Sequence, residues 1–580
     1  MTAGAEILLS RDLMAFQLFD WLGVGQEDER ETLLAVIDMA QRLAVDAFLP
    51  HYRQSDIEEP RLDADGVHVL PAIRDALARF AELGLFGVSF PETLGGLNLP
   101  VPVALTIQGN FAAANIATNS YSILTVANAR LIATFGTPEQ VDYFAKPQIE
   151  GRWFGTMCLS EPQAGSSLGD IRTRAVAEGE DIQGARYRIT GNKMWISAGD
   201  HDASDNIVHL VLAKIVQADG RLPEGSKGIS LFIVPKILPN GSRNDIAVAG
   251  LNHKLGYRGT SNCLLNFGEG PGAIGWRVGP AGQGLPQMFK MMNEARISVG
   301  LGAAALAYRG YRQSLRYAQE RAQGRVLGTK SGAPVPIIAH ADVRHMLSRQ
   351  KVYAEGALAL CLYCANLVDQ EGDEAADAVL ALLTPVAKSW PSEFGPIAND
   401  LAIQVHGGYG YTRDFDVEQL WRDNRLNAIH EGTNSIQAID LLGRKLLFSN
   451  GQSLALLIER IEATITKARD SRKLSPFGAQ LTEFWKRVET VLEGLKGREG
   501  AEAFDDATLF MRAFGHGVVA WLWLDQAIAS AAHSDKSLCE GIAYGCRYFF
   551  ERELPQATCW LSIVAHPSDV VRTNPELAFA

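Results

Sequence analysis

A change of periodicity in the middle of the chain most constrains its fold. Residues 30–150 repeat apolar side chains at helical spacing. Residues 155–270 instead contain short apolar or alternating runs, such as 207–212 and 229–234, separated by Gly, Asn and Asp, which is typical of β-strands. Helical spacing then returns in three long segments, 285–325, 338–370 and 374–405. The pattern predicts an α+β protein in which a β domain lies between two helical domains.

A fourth block follows these three parts. Residues 451–580 hold further helix candidates, among them 508–531 and 537–566. The Gly- and Pro-rich stretch 268–284 marks an earlier boundary. We predict four domains: an N-terminal helical domain, a middle β domain, a helical domain and an additional C-terminal helical domain, at residues 1–154, 155–275, 276–450 and 451–580.

Composition excludes several classes of protein. The formal net charge of -12 disfavours general nucleic-acid binding, which needs a basic surface. The N-terminus lacks the pattern of a signal peptide, and no window approaches the ~20 uninterrupted apolar residues of a membrane span. Seven Cys in 580 residues do not form a disulfide framework. These features predict a cytoplasmic enzyme without a membrane span.

Metal binding is not expected either. Cys361 and Cys364 form a CxxC pair in an apolar helical context with no second pair, so we interpret them as buried structural thiols. His340 and His345 are five residues apart, which does not match two ligands on one helix face. We therefore predict no metal site.

The string 428–437, Ala-Ile-His-Glu-Gly-Thr-Asn-Ser-Ile-Gln, carries the strongest functional signal. Glu431 directly precedes Gly432, and a sharp turn there could hold the carboxylate against a reacting carbon. The alternative is a solvated carboxylate at a helix N-terminus, stabilised by the helix dipole.

Other segments support the first interpretation. The string resembles the catalytic-Glu motif of the acyl-CoA dehydrogenases, and four more segments resemble family motifs in the family's order and spacing: 157–167, 191–199, 253–261 and 404–411. The resemblance covers roughly residues 30–445. The block 451–580 resembles the extra helical domain of a large-subunit branch, which includes methylmercaptopropionyl-CoA dehydrogenases and related bacterial acyl-CoA dehydrogenases.

The resemblance implies a reaction. Glu431 would remove the α-proton of an acyl-CoA thioester, and FAD would accept the β-hydride, leaving a trans-2-enoyl-CoA. The Glu431 N–H and an FAD hydroxyl would bind the thioester oxygen. Burial would have to raise the pKa of the Glu431 carboxyl toward the working range. Electrons would then pass to an electron-transfer flavoprotein, as part of fatty acid β-oxidation.

The resemblance also implies cofactor and substrate contacts. Trp195 could equally be a core residue of a strand, Ser160 a turn residue, and either Arg296 or Arg321 a member of a surface ion pair. Arg321, Gln404 and Gly408 correspond to contacts with the FAD of a partner subunit. The predicted substrate contacts are Arg296 and Gly432, and the predicted FAD contacts are Leu159, Ser160, Gly165, Ser166, Trp195, Ser197, Arg321, Gln404, Gly408, Thr433 and Ser435.

Some positions depart from the family pattern. Ser167 stands where Asp is common, and Gln323-Gly324 replaces a Thr-Phe pair that contacts FAD in many smaller members. His430 stands where Tyr is frequent, so an imidazole beside the base could change the active pH range.

Three functions remain open at this point. An FAD-dependent acyl-CoA dehydrogenase is favoured, an acyl-CoA oxidase that uses oxygen is the enzymatic alternative, and a DNA-binding flavoprotein relative is the non-catalytic one. The apolar side chains of the C-terminal block, among them Trp521 to Leu524, Phe549 and Phe550, are too many for a solvated tail. They lead us to expect a role in stability as well as in assembly as a homo-oligomer, with a homodimer favoured. The acyl chain of the substrate cannot be predicted.

Overall fold

The protein is mainly helical. The computed structural model describes residues 4–329, 331–370, 372–498, 500–572 and 575–579, without the side chains of residues 290–293 and 575. Its α-helices, interspersed with short 3-10 and π segments, are α1 Arg11–Ala15, α2 Arg30–Leu43, α3 Tyr52–Ile57, α4 Pro71–Glu82, α5 Val101–Phe135, α6 Pro138–Gln140, α7 Lys146–Ile149, α8 Gly284–Glu320, α9 Ala341–Val368, α10 Glu374–His406, α11 Val417–Asn424, α12 Asn434–Ile439, α13 Gln452–Ala468, α14 Ser475–Lys496, α15 Ala507–Ala529, α16 Lys536–Tyr548, α17 Leu554–Ala565 and α18 Pro575–Ala578.

The strands fall where the β domain was predicted, apart from one hairpin. They are β1 Arg61–Asp63, β2 Gly66–His68, β3 Trp153–Cys158, β4 Arg174–Asp181, β5 Gly184–Ser197, β6 Asn206–Ile215, β7 Ile229–Pro235, β8 Ile246–Leu251, β9 Asn262–Phe267 and β10 Ala273–Val278. The antiparallel pair β1–β2 lies inside the region predicted to be helical throughout. The tight turn before Gly66, whose φ is +129°, makes this hairpin possible.

The chain divides into two compact units. The first is centred on Ala35–Ala295, and the second contains Glu6–Leu34 together with the residues from Arg296 onward. Residues 6–34 thus group with the second unit, whereas the sequence placed them in an N-terminal domain. The boundaries of the four predicted domains stay predictions.

The sheet of the first unit closes on itself. Strand β10 pairs antiparallel with β7 on one side and with β5 on the other, and β7, β6, β4 and β5 follow in order between them. The second half of β5 extends beyond this ring and pairs with β9, and β3 runs parallel to β6. Closure removes the free edges that an open sheet would expose.

Alternation along β6 and β7 builds two separate cores. Val208, Leu210 and Leu212 of β6 belong to one buried cluster, which includes Leu131 and Ile132 of α5. Val211 and Ala213 point to the opposite face and join a second cluster with Phe232 and Val234 of β7. Because both faces of these strands are buried, they appear in the sequence as continuous apolar runs.

In the second unit, α15 packs against α9 and α10. Trp390 of α10 donates a hydrogen bond from Nε1 to His516 Nδ1 at 3.0 Å, and Trp523 donates from Nε1 to the Val352 carbonyl at 3.3 Å. Gly356 and Gly515 face these indole rings, where an added Cβ would lie within 3.0 Å of ring atoms. The additional C-terminal helices therefore share one core with the preceding helical region.

This packing corrects one argument from the sequence. Apolar side chains of the C-terminal block were expected to contribute to assembly, but they are buried within the chain itself: Trp521, Leu522, Trp523, Leu524, Phe549 and Phe550. They stabilise the second unit and offer no surface for a second copy.

Among the residues that the structure describes, two helical segments, Ala341–Val368 and Gly500–Ala532, are long and apolar enough to cross a membrane. In each of them 83% of the most apolar window is buried inside the protein, as in the core helices of a soluble domain.

Candidate active site

The predicted flavin segment of the first unit is a tight turn that follows β3. The Glu161 N–H donates to the Ala164 carbonyl at 2.9 Å, and the Ala164 N–H donates back to Glu161 at 3.0 Å. Leu159 and Ser160 before the turn are half-buried, whereas Gly165 and Ser166 after it are exposed. The turn therefore presents a small residue and a hydroxyl to solvent, where a phosphate group could approach the backbone.

A buried ion pair joins this turn to the second predicted flavin segment. Lys193 Nζ donates to Glu161 Oε1 at 3.0 Å and to the Leu159 carbonyl at 2.9 Å. The Met194 N–H also donates to the Ser160 carbonyl at 3.1 Å. Segments 159–161 and 193–195 are thereby held side by side.

Glu161 is saturated with hydrogen bonds. Besides Lys193, it accepts from the Thr173 hydroxyl at 2.6 Å, from the N–H groups of Arg172 and Thr173 at 2.7 and 3.0 Å, and from Gln163 Nε2 at 2.9 Å. Burial raises the pKa of the Glu161 carboxyl, but the Lys193 charge and these donors outweigh that effect and lower the pKa to about 2.

Trp195 is not a core residue. Its side chain is 59% exposed, and its φ of +66° lies in the left-handed region that a bulky aromatic residue rarely adopts. The pairing of β5 with β9 shifts register between Lys193 and Ile196, so a bulge turns the indole outward. Ser197 follows and accepts a hydrogen bond from Asn262 Nδ2 at 3.2 Å. Strained backbone that exposes an apolar ring favours a role in ligand binding.

Taken together, these residues of the first unit fit a flavin nucleotide. The exposed indole of Trp195 can stack on a planar ring, and the turn through Gly165 and Ser166 can bind phosphate.

Glu431 lies in a strained turn of the second unit. Its φ is +52° and that of Gly432 is +85°, so two successive residues adopt the left-handed region between Ala428 and α12. Gln437 Nε2 donates to the Glu431 carbonyl at 3.2 Å. A Cβ added at Gly432 would lie 2.6 Å from that same nitrogen, so the turn requires glycine there.

Burial and two cations act in opposite directions on the Glu431 carboxyl. Burial raises its pKa above the usual value, while the positive charges of Lys388 and Arg296 lower it, and the net direction is upward. Desolvation of the neighbouring half-buried His430 imidazole, together with the Lys388 charge, lowers its pKa to about 3. His430 is therefore neutral at physiological pH and lies 3.1 Å from Asn427 Oδ1 through Nε2.

Arg296 and Asp440 form a buried ion pair. Arg296 Nη1 lies 3.2 Å from Asp440 Oδ2, and Arg444 Nε lies 2.8 Å from the other carboxylate oxygen of Asp440. Arg296 was predicted to contact substrate. Its buried position rules out the alternative of a surface ion pair and holds its charge near Glu431.

Lys388 was not identified from the sequence. It lies on α10 with no exposed surface, and its Nζ donates to Asn434 Oδ1 at 3.3 Å. The available signal was a single charge in the otherwise uncharged run 378–392. Spacing along α10 could not reveal its neighbours, because Asn434 is 46 residues away.

The remaining predicted cofactor residues lie in two places in the second unit. Thr433 caps α12, accepting from the Ile436 N–H at 3.4 Å, and its hydroxyl lies 2.9 Å from that of Ser435. Arg321, Gln404 and Gly408 are exposed, and the Arg321 guanidinium carbon lies 6.0 Å from the centroid of the Tyr409 ring.

Cys361 and Cys364 are both buried free thiols. Within the parts of the chain that the structure describes, no group of three or more His, Cys, Asp or Glu side chains could hold a metal ion.

Family models match four consecutive parts of the chain. Residues 30–152, 156–269 and 282–447 match the N-terminal, middle and C-terminal domains of acyl-CoA dehydrogenases, and residues 457–573 match a model described as acetyl-CoA dehydrogenase C-terminal like. The 3-methylmercaptopropionyl-CoA dehydrogenase of Ruegeria pomeroyi is 32% identical over 531 residues, which cover 88% of this chain and 87% of the relative. The chain belongs to the acyl-CoA dehydrogenase family.

Two further comparisons extend over nearly the whole chain. FadE5 of Mycobacterium tuberculosis, a broad-specificity linear acyl-CoA dehydrogenase, is 31% identical over 611 residues, which cover 97% of this chain and 98% of the relative. The solved structure of a Bacillus anthracis acyl-CoA dehydrogenase complexed with FAD has a TM-score of 0.74 at 20% identity, covering 99% of this chain and 94% of that one, and shows the shared fold. The protein is an FAD-dependent dehydrogenase of acyl-CoA thioesters, with an additional C-terminal helical domain.

Proposed function

We propose that Glu431 is the general base that removes the α-proton of the acyl-CoA thioester. The observation that carries this proposal is the strained Glu431–Gly432 turn, which holds a half-buried carboxyl whose pKa is raised although the charges of Lys388 and Arg296 lower it. A carboxylate whose pKa is raised toward neutral pH is a stronger base than one in water. When bound, FAD accepts the β-hydride, so that the products are a trans-2-enoyl-CoA and the reduced cofactor.

The backbone of the same turn would stabilise the enolate oxygen. Among the residues that the structure describes, none accepts a hydrogen bond from the Glu431 N–H. This N–H is therefore available to the thioester oxygen, as the family resemblance implies. Gly432 leaves room for the thioester, and the charge of Arg296 adds to the electrostatic stabilisation.

The proposed cofactor contacts follow the predicted segments. Trp195 and Ser197 would contact the flavin ring system, with Leu159 and Ser160 at its edge, and Gly165 and Ser166 would contact the pyrophosphate. By the family resemblance, Thr433 and Ser435 would also contact FAD through their hydroxyls. Arg321, Gln404 and Gly408 would contact the FAD of another copy of the chain, which supports a homo-oligomer, and we retain the homodimer as our proposal.

The electron acceptor we propose is an electron-transfer flavoprotein, in the cytoplasm and in fatty acid β-oxidation. Support comes from the motifs, which resemble the dehydrogenases more than the oxidases.

Anaerobic mixing with a panel of saturated acyl-CoA thioesters, from butyryl- to palmitoyl-CoA, tests the reaction. The flavin absorbance should bleach, and the matching 2-enoyl-CoA should form in equal amount. Reoxidation should be fast with electron-transfer flavoprotein and slow with oxygen. A folded, FAD-loaded protein that no member of the panel reduces would contradict the proposed function, and rapid oxygen consumption would favour the oxidase.

A further inference from the structure

A fully buried lysine exerts its charge on the proposed base. We propose that Lys388 is a positioning residue for the reaction: held by Asn434, its ammonium group keeps the half-buried Glu431 carboxylate ionised. This inference rests on the proposed role of Glu431 and adds to it the group that maintains the charge of the base. Burying an ammonium group costs free energy unless an opposite charge or hydrogen-bond acceptors compensate for the lost water.

The hydrogen bonds around Asn434 fix the orientation of its amide. Lys388 Nζ can only donate, so the atom 3.3 Å away is the Asn434 oxygen. The Glu393 carboxylate can only accept, so the atom 3.1 Å from its Oε2 is the Asn434 nitrogen. The hydrogen bonds with Lys388 and with Glu393 therefore require the same orientation of the Asn434 amide. Asn434 is only three residues after Glu431, and the hydrogen bond therefore ties Lys388 to the catalytic turn.

The network continues into the additional C-terminal domain. Arg512 of α15 donates from Nη2 to Glu393 Oε1 at 2.5 Å. A continuous set of contacts thus runs from Arg512 through Glu393 and Asn434 to Lys388. The additional domain thereby helps to orient Asn434, which holds Lys388.

The charges around Lys388 give the direction of its effect. Glu431 on the catalytic turn attracts its ammonium, Arg296 of α8 repels it, and His430 is neutral. Asp440 is balanced by Arg296 and Arg444, and Glu393 by Arg512.

Burial lowers the pKa of Lys388 to about 7, against the attraction of Glu431. Lys388 is therefore cationic below about pH 7, where its charge opposes the uptake of a proton by Glu431. Its loss should raise the pKa of Glu431 and leave alkaline activity intact.

Lys388→Met, which removes the charge and nearly keeps the volume, tests this directly. An opposite charge at close range shifts a carboxyl pKa by about 1–3 units. The acid limb of the kcat/KM profile should therefore move up by about 1–3 pH units, with a roughly tenfold loss per unit below the new midpoint. The parent and variant profiles should converge at alkaline pH. Lys388→Arg should restore a midpoint near that of the parent.

A second readout needs no turnover. Infrared difference spectra against Glu431→Gln should show the protonated-carboxyl band of Glu431 persisting to higher pH in Lys388→Met. The matched control is Lys351→Met, because Lys351 is a largely buried lysine of the same unit paired with Glu355 at 2.6 Å. This control should leave the midpoint unchanged.

A uniformly lowered profile with an unmoved midpoint, or an unchanged carboxyl band, would overturn the role of Lys388. If Lys388→Met does not fold, Asn434→Leu decides the question, since it keeps the lysine but removes its acceptor: a smaller shift in the same direction supports the role, and no shift overturns it. Full activity in Glu431→Gln would instead overturn the proposed base, whatever the lysine variants show.

Discussion

Two glutamates, one in each unit, each lie near a buried lysine, yet their pKa values move in opposite directions. Glu161 of the first unit accepts five hydrogen bonds, including one from Lys193, and its pKa falls to about 2. Glu431 of the second unit is half-buried, and this desolvation raises its pKa despite the charges of Lys388 and Arg296. Among the residues that the structure describes, none donates a hydrogen bond to the Glu431 carboxylate.

The difference shows how a structural carboxylate differs from the carboxylate that we propose as the base. Five hydrogen bonds are donated to the carboxylate oxygens of Glu161. The charged form of Glu161 is therefore stable, and its proton affinity is low. Glu431 keeps its lone pairs free, so its charge is costly and its proton affinity is high. A nearby lysine alone does not decide the direction of the pKa shift, because Glu161 and Glu431 differ in the number of hydrogen bonds donated to the carboxylate.

Glu161→Gln should produce the largest change in stability. Breaking a buried ion pair by removing one partner typically costs about 3–5 kcal/mol, because Lys193 would remain charged and unpaired. We expect a loss of that size in chemical denaturation of the FAD-free protein, together with weaker FAD binding. Glu178→Gln, which removes a partly exposed partner of Arg188 in the same sheet, is the control and should cost under about 1 kcal/mol. Equal losses in both variants would refute the special role of the buried pair.

The same pair should make stability depend on acid pH. The pKa of Glu161 is lowered on folding, so its contribution is fully present above the unfolded value of about 4.3 and is lost as pH falls toward its folded pKa of about 2. Denaturation midpoints of the parent and of Glu161→Gln should therefore converge as the pH approaches that value. A constant difference between the two proteins across this range would contradict the low pKa.

Trp195→Gly should have a smaller and opposite effect on stability. A non-glycine residue in the left-handed region costs roughly 1–2 kcal/mol, which glycine avoids. The FAD-free protein should become more stable by about 1 kcal/mol, while FAD affinity falls about tenfold, or about 1.4 kcal/mol, through loss of the stacked ring. Trp195→Phe keeps both the ring and the strain and serves as the control. Unchanged FAD affinity in Trp195→Gly would show that the exposed indole does not bind the flavin.

Glu431→Gln should change stability least, and in the direction opposite to Glu161→Gln. Its raised pKa means that the ionised carboxylate is disfavoured by folding at neutral pH, so the neutral amide should raise the melting temperature of the FAD-free protein slightly. A clear fall in melting temperature, like that expected for Glu161→Gln, would mean that Glu431 is a structural carboxylate as well.

The spacing of apolar residues predicted the main helices and strands, because each of them has a buried face. The runs 207–212 and 229–234 became β6 and β7, and the long helical patterns became α8, α9 and α10. The hairpin at Arg61–His68 was missed because strands of three residues have no measurable period. Closure of the sheet could not be predicted from the sequence either, since the pairing of β10 with β5 joins residues about 85 apart in the chain.

Sequence motifs predicted the residues of the candidate site, but not the charges that act on them. The string around Glu431 predicted a sharp turn, and the structure has one. The charges that act on Glu431 come from α8 and α10, and spacing along the chain does not reveal that Lys388 acts on Glu431. Spacing does not reveal which five groups donate hydrogen bonds to Glu161 either. The outward turn of Trp195 depends on a bulge against β9, so alternation along β5 left a core position open beside the predicted FAD contact.

The central claim is that Glu431 removes the α-proton, and the rate of anaerobic flavin reduction by the best acyl-CoA of the panel tests it most directly. General-base removal typically lowers rates ~10²–10⁴-fold. Glu431→Gln should therefore bind FAD and the thioester but bleach at least about a hundredfold more slowly, while Glu418→Gln, which removes the half-buried partner of Arg422, should match the parent. Flavin reduction at the parent rate in Glu431→Gln would contradict the account.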